Sequence, residues 1–197
     1  MQKAGTRLLI LGSSSRYRRE LLERLRVPFE VVSPEVDESI RPGETPSGLA
    51  LRLALEKARA VAQRFPHGIV IGSDQVADLD GEPLGKPGDH DRAVAQLRRM
   101  RGKTVVFQTA VAVICHATQF VQSDLAPVRV RFRDLTDSEI ENYLRLETPY
   151  DCTGSARSEG LGIALLDAID SDDPSALVGL PLIRTCRMLR AAGLQLL

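Results

Sequence analysis

The chain predicts an α/β fold, and three observations carry that reading. A short apolar run, Leu8 to Leu11, is followed by Gly12-Ser13-Ser14-Ser15 and then by a helical pattern with Leu21, Leu22 and Leu25 on one face. Strand, turn and helix thus follow one another directly. Three β-branched residues, Ile69-Val70-Ile71, read as the end of a buried strand and lead through Gly72-Ser73 to Asp74. A carboxylate at the carboxyl end of a buried strand is where open α/β sheets commonly place chemistry. Two long β-rich segments, 104–114 and 120–132, are joined by a short turn and read as an antiparallel pair.

In chain order, Ser15 is placed to cap the first helix, which opens with Arg16-Tyr17-Arg18-Arg19. A small-residue turn before a helix offers backbone N–H groups, here those of Ser13, Ser14 and Ser15, to an anion, and the helix dipole favours negative charge there. Phe29 to Val32 reads as a second strand. Residues 33–46 form an acidic, proline-containing loop from which Asp37 or Glu38 can turn inward to hold a hard metal ion through oxygen. Ser47 to Phe65 reads as a long amphipathic helix. Lys57 lies within it among the small residues Ala54, Ala58 and Ala62, which leave it room to reach a ligand.

Gly72-Ser73 is expected to turn the backbone ahead of Asp74. Asp80-Gly81, between Leu79 and Leu84, is a strong hairpin signal and carries the chain on to Gly85-Lys86-Pro87, so that Asp74 and Lys86 bracket one hairpin. Asp89 or Asp91 caps a helix that runs to Met100 and stops at Gly102. Thr136 and Glu139 have the spacing of a capping box, with a helix to about Leu146. Residues 150–162, YDCTGSARSEGLG, are rich in Gly and Ser and return toward a site. Ile163 to Ile169 reads as another strand, and Pro181 and Gly193 bound a final helix.

At 197 residues the chain is long enough for a substantial core and fits one domain or two small lobes. Lys plus Arg and Asp plus Glu are both 26, so any anion site must be a local cluster and not a general basic surface. That balance argues against nucleic acid or a membrane as partner. No apolar run is long enough to span a bilayer, and MQKAGTRLLILG has too short an apolar core for a secretory leader. Cys115, Cys152 and Cys186 form no CxxC pair and suit a reducing compartment, most often as small buried residues. His67, His90 and His116 have no zinc-type spacing.

Placed together, these segments resemble the Maf family of nucleotide pyrophosphatases. The likeness is spread over nearly the whole chain: LILGSSSRYRRELL, PEVDE, LALEKA, IGSDQV, LDGEPLGKP, TVVFQTAVAV, LTDSEIENYL, SEGLGIAL and GLPLIRTCRMLR. The branch most resembled hydrolyses 7-methyl-GTP and is a cytoplasmic, divalent-metal enzyme. The resemblance implies a single α/β domain over residues 1–197, with an elongated, twisted mixed sheet, helices on both sides and a cleft between two lobes. One departure is visible, Arg16 where the family usually has proline.

Residue by residue, the resemblance makes Asp74 the proton acceptor, and Arg18, Lys57 and Lys86 the basic groups that handle phosphate. It places Asp37 near the metal and makes Tyr17, Gln75 and Glu159 the positions that divide the branches by base preference. The implied reaction cleaves a nucleoside triphosphate between its α- and β-phosphates, with Mg²⁺ or Mn²⁺ bridging phosphate oxygens and acidifying water. Asp74 either accepts the proton or binds the metal that carries the water. The expected partner is the small-molecule nucleotide, and a homodimer is compatible with the sequence. Three alternatives stand beside this reading: the dTTP/UTP branch of the same family, a nucleotide-binding regulatory module without turnover, and a Rossmann-type dinucleotide enzyme. The last needs a GxGxxG motif that is missing here.

Overall fold

The computed structural model describes residues 7–197. Residues 1–6, where the stretch judged too short for a leader begins, lie outside the described residues. Seven strands, β1 (Leu9–Gly12), β2 (Glu30–Val32), β3 (Ile69–Leu79), β4 (Glu82–Leu84), β5 (Thr104–Cys115), β6 (Phe120–Phe132) and β7 (Leu166–Asp170), form one mixed sheet. Its order is β2-β1-β3-β5-β6-β7, with β4 beside β3. β1 runs parallel to β2 and β3, and every later pairing is antiparallel. Five helices, α1 (Arg16–Glu23), α2 (Pro46–Arg64), α3 (His90–Met100), α4 (Asp137–Glu147) and α5 (Leu182–Ala191), cover it. This is the α/β class that the alternation of strand and helix patterns predicts. Among the described residues, no helix is long and apolar enough to cross a membrane.

The central strands carry uninterrupted apolar runs, at residues 9–11, 69–71 and 110–115, where both of their faces are buried. Leu9, Leu11, Ile69, Ile71, Val111 and Val113 pack with α1 and α5, whereas Ile10, Val70, Ala110, Ala112 and Ile114 pack under α2. Alternation along each strand therefore serves two cores. A third cluster, at the far end of the sheet, joins Phe107, Val128 and Phe132 to Leu97 of α3 and Leu144 of α4.

Three local expectations are corrected. Gly72-Ser73 does not turn: β3 continues straight through to Leu79. Gly72 is there for close approach, since a Cβ on it would lie 2.3 Å from the Ala54 carbonyl oxygen and 2.6 Å from the Ala58 nitrogen of α2. Pro46 belongs to the helix as its first residue, with Thr45 as the cap. Residues Leu161–Leu165 form a 3-10 turn, and the strand begins only at Leu166. The Glu147 carboxylate accepts the Leu161 N–H at 2.7 Å and Gly162 packs on the Arg157 backbone, which together hold that segment tightly curled.

Other signals correspond to observed structure. Asp80 (φ 56°) and Gly81 (φ 87°) form a tight turn of the mirror-image type between β3 and β4. Asp89 caps α3, and Thr136 and Glu139 form a complete capping box on α4.

One feature of the ladder makes room for a site. β1 ends at Gly12, paired with Gly72, and β4 begins its pairing only at Ala77. Between them, Ser73 to Val76 pair with β5 alone. The sheet is open along that edge of β3, and Asp74 lies in the opening just beyond the end of its parallel neighbour.

Candidate active site

Strand alternation sends Asp74 toward α2 and its neighbours Ser73 and Gln75 toward the other face. Lys57 of α2 meets Asp74, with Nζ 2.6 Å from Asp74 Oδ1 and 2.7 Å from Glu38 Oε1. Lys57 is only 6% exposed and Asp74 only 7%, so this is a buried ammonium held by two carboxylates and not the surface lysine that a helix pattern suggests by default. Asp74 Oδ2 has no hydrogen-bond donor among the described residues. Burial acts to raise the Glu38 carboxyl, but its bond to Lys57 and the charges of Lys57, Lys86 and Arg18 hold it below the usual carboxylate range.

Arg18 projects from α1 into the same region, where Nε donates to the Gly179 carbonyl at 2.8 Å and Nη1 to Ser13 Oγ at 3.3 Å. Burial presses its guanidinium pKa down, opposed by Asp74 and Glu38. Ser15 caps α1 by accepting from the Arg18 N–H. The serine turn uses two of its three amides internally: Ser13 N–H goes to the Leu11 carbonyl, and Ser15 N–H to Ser13 Oγ. Ser14 is the serine whose N–H has no acceptor among the described residues. Lys86, beyond the β3–β4 hairpin, is exposed and lines the cleft across from this turn.

The cleft consists of two adjoining hollows of about 380 and 280 Å³. Lys57, Asp74 and Glu38 line the first, and Tyr17, Asp151 and Glu159 line the second. Arg18, Gln75, Lys86, Ser14 and Ser15 line both. Asp37 lines neither: it is exposed, and its Oδ1 accepts the Ser39 N–H at 3.0 Å. Of the loop's two candidate acids, Glu38 is the one that turns inward.

In the second hollow the Tyr17 hydroxyl accepts from Arg16 at 2.7 Å and faces Asp151 at 3.3 Å. Burial pushes the Tyr17 phenol up to about 12 and the neighbouring Cys152 thiol up to about 11. The ring already has two cations near it, with the guanidinium carbons of Arg16 and Arg157 at 4.7 and 5.8 Å from its centroid. Arg16 is the first helical residue of α1, a position that accepts proline without loss of a helix bond. Arginine there keeps the cap and adds a side chain to the hollow. Glu159 sits on the return loop, 3.6 Å from Arg157 Nε. Gln75 Nε2 donates to Thr109 Oγ1 and to the carbonyls of Ala176 and Leu177.

Several of these groups carry no signal in the sequence. Thr109 is brought to Gln75 only by the β3–β5 register, and the carbonyls of 176–179 only by the tertiary fold. Asp151 and Cys152 fall within the Gly/Ser-rich return segment but match no motif.

No group of three or more His, Cys, Asp or Glu side chains that could hold a metal occurs among the described residues. The acids of the first hollow are Asp74 and Glu38. One or two carboxylates, completed by substrate phosphates, is the ordinary donor set for Mg²⁺ in nucleotide sites. The residues present fit a hard divalent ion of that kind and not a self-contained protein cage.

A family model described as Maf-like protein matches residues 8–192. The chain belongs to the Maf family. The match runs from before β1 to beyond α5, so the Maf relationship covers the sheet, the helices and both hollows. A Polaromonas protein named 7-methyl-GTP pyrophosphatase is 73% identical over 191 residues, covering 97% of this chain and 87% of its own length. Proteins of the same name from Albidiferax ferrireducens and Methylobacillus flagellatus are 71% and 57% identical, covering 97% and 96% of this Maf chain and 96% and 98% of their own.

Proposed function

We propose that the protein is a nucleoside triphosphate pyrophosphatase that converts 7-methyl-GTP to 7-methyl-GMP and pyrophosphate. One observation carries this reading beside the family relationship: a continuous cleft joins a basic and carboxylate end to an end lined by hydrogen-bonding and acidic side chains. Lys57, Arg18 and Lys86 suit a triphosphate, and Gln75, Glu159 and Tyr17 suit a base. Phosphoryl-type transfer depends mainly on positioning and charge neutralisation, and this cleft offers both.

In this reading Arg18 and Lys86 hold the phosphate chain from opposite sides. Lys57 neutralises charge as it shifts onto the leaving pyrophosphate and orients Asp74 through their 2.6 Å contact. Water attacks the α-phosphorus, its proton passes to Asp74 Oδ2, and the bond between the α-phosphorus and the bridging oxygen breaks. Asp74 and Glu38 are the side chains that would hold a divalent cation such as Mg²⁺ or Mn²⁺. Such an ion, when bound, supplies charge neutralisation on phosphate oxygens and a more acidic water.

The Glu159 carboxylate complements the positive ring of 7-methylguanine and accepts from N–H groups of its pairing edge. The Tyr17 ring adds an aromatic face, for which a cationic base competes with Arg16 and Arg157. The test is kcat/KM on 7-methyl-GTP, GTP, dTTP and UTP for the purified protein and for Glu159→Ala. The account expects 7-methyl-GTP to lead and the substitution to erode that lead. Preferred turnover of dTTP or UTP would overturn the assignment of the base.

A further inference from the structure

We propose that Thr109 is a positioning residue for base recognition: with the carbonyls of Ala176 and Leu177, it locks the Gln75 amide so that its oxygen faces the substrate. Gln75 and Thr109 stand directly opposite in the β3–β5 ladder. Thr109 is fully buried, and its hydroxyl proton goes to the Ala176 carbonyl at 2.9 Å. Only lone pairs remain on Thr109 Oγ1 for a second partner. Gln75 Nε2 fills that role at 2.9 Å and lies 3.0 Å from both Ala176 O and Leu177 O, so its two N–H groups are shared among three acceptors. Turning the amide over would set its oxygen against two carbonyl oxygens, which can only accept, and forfeit the bonds to both. The nitrogen is thereby fixed toward the protein, and the oxygen is the atom left for the cleft that Gln75 lines.

The carbonyls are themselves held in place. Asp173, fully buried at the start of their loop, accepts the Arg184 N–H at 3.0 Å, and the one Ser175 hydroxyl proton lies between Asp173 Oδ1 at 3.1 Å and the Leu180 carbonyl at 2.8 Å. Ser175 Oγ in turn accepts the Leu182 N–H at 2.7 Å, which ties the loop to α5. The lock is thus rigid before substrate arrives.

Its consequence is a polarity. Gln75 offers the base an acceptor and no donor, so it favours a base that presents an N–H there. A base presenting a carbonyl oxygen would set two acceptors face to face, and unmatched polar groups in a closed site are costly. Valine would fill the same volume as Thr109 without a hydroxyl, so packing alone does not require threonine at this buried position.

This inference rests on the nucleotide reading above, and the experiment separates the two. Steady-state kcat and KM are measured on 7-methyl-GTP and UTP for the parent, Thr109→Val and Thr109→Ser. The lock predicts that Thr109→Val narrows the ratio of kcat/KM between the two bases roughly two- to tenfold, the effect of one hydrogen bond. The change should lie in KM, with kcat on the better substrate nearly unaltered, and Thr109→Ser, which keeps the hydroxyl, should preserve the parent ratio. An unchanged ratio in Thr109→Val, or equal change in both variants, overturns the proposal. Should Thr109→Val not fold, the parent decides by NMR: the Gln75 side-chain amide protons must exchange more slowly than those of Gln119, and equal exchange rejects the lock. Which base the parent prefers tests the substrate reading. How that preference shifts on losing the Thr109 hydroxyl tests the lock, whichever base leads.

Discussion

Lys57 is an ammonium at a position where an apolar side chain would be easier to bury, and two carboxylates keep it there. Removing one member of a buried pair leaves the other charge uncompensated. Lys57→Ala should therefore lower unfolding free energy by about 3 kcal/mol in chemical denaturation and also abolish most activity. Asp74→Asn, nearly isosteric, should keep the fold and lose about 10²- to 10⁴-fold in rate, the usual worth of a general base. The double variant Lys57→Met with Asp74→Asn should regain much of the stability of Lys57→Ala without regaining activity. Recovery of both together would mean that the pair is structural only.

Cys152, raised to about 11, stays a neutral thiol across the working range of pH despite lining the cleft. Alkylation follows the thiolate, so at pH 7.5 it should react about a hundredfold more slowly than a free thiol. Labelling at the rate of glutathione, followed by mass spectrometry, would contradict the burial that raises it.

Among the elements, α2 and β3 matter most, because they carry Lys57 and Asp74 and touch at Gly72. Gly72→Ala would push a methyl into the Ala54 carbonyl and Ala58 nitrogen, backbone atoms that cannot rotate away. It should destabilise by about 3 kcal/mol, the upper part of the usual range for overpacking, and lower activity by separating the ion pair. A denaturation midpoint and kcat like the parent's would show that the helix is free to move. Strand and helix positions were largely legible in the sequence because their signals are local: apolar runs, the Asp80-Gly81 turn and the Thr136–Glu139 box. Gly72 was misread for a physical reason. A glycine demanded by a helix crossing over a strand looks, in one dimension, the same as a glycine demanded by a turn. The 161–165 segment was misread because Glu147, fourteen residues before Leu161, sets its shape.

At the scale of the whole molecule, the Maf resemblance brought most of the candidate residues into one cleft, while their division into two hollows depends on sheet order. The gap between β1 and β4 that leaves Ser73 to Val76 without a strand partner on that edge follows from where two short strands end, which no spacing in the chain announces. The choice between Asp37 and Glu38 was equally out of reach, since neighbouring loop acids carry the same chemistry and only the tertiary fold points Glu38 at Lys57. The balance of 26 basic and 26 acidic residues was informative in its own way, because it required a local cationic cluster, and Arg18, Lys57 and Lys86 supply one.

The most direct test of the central claim follows the products of 7-methyl-GTP by phosphorus NMR, with Mg²⁺, with excess EDTA, and with Asp74→Asn. The account predicts equal amounts of 7-methyl-GMP and pyrophosphate with Mg²⁺, and little turnover either in EDTA or with the variant. Release of orthophosphate with 7-methyl-GDP, or full turnover by Asp74→Asn, would contradict it.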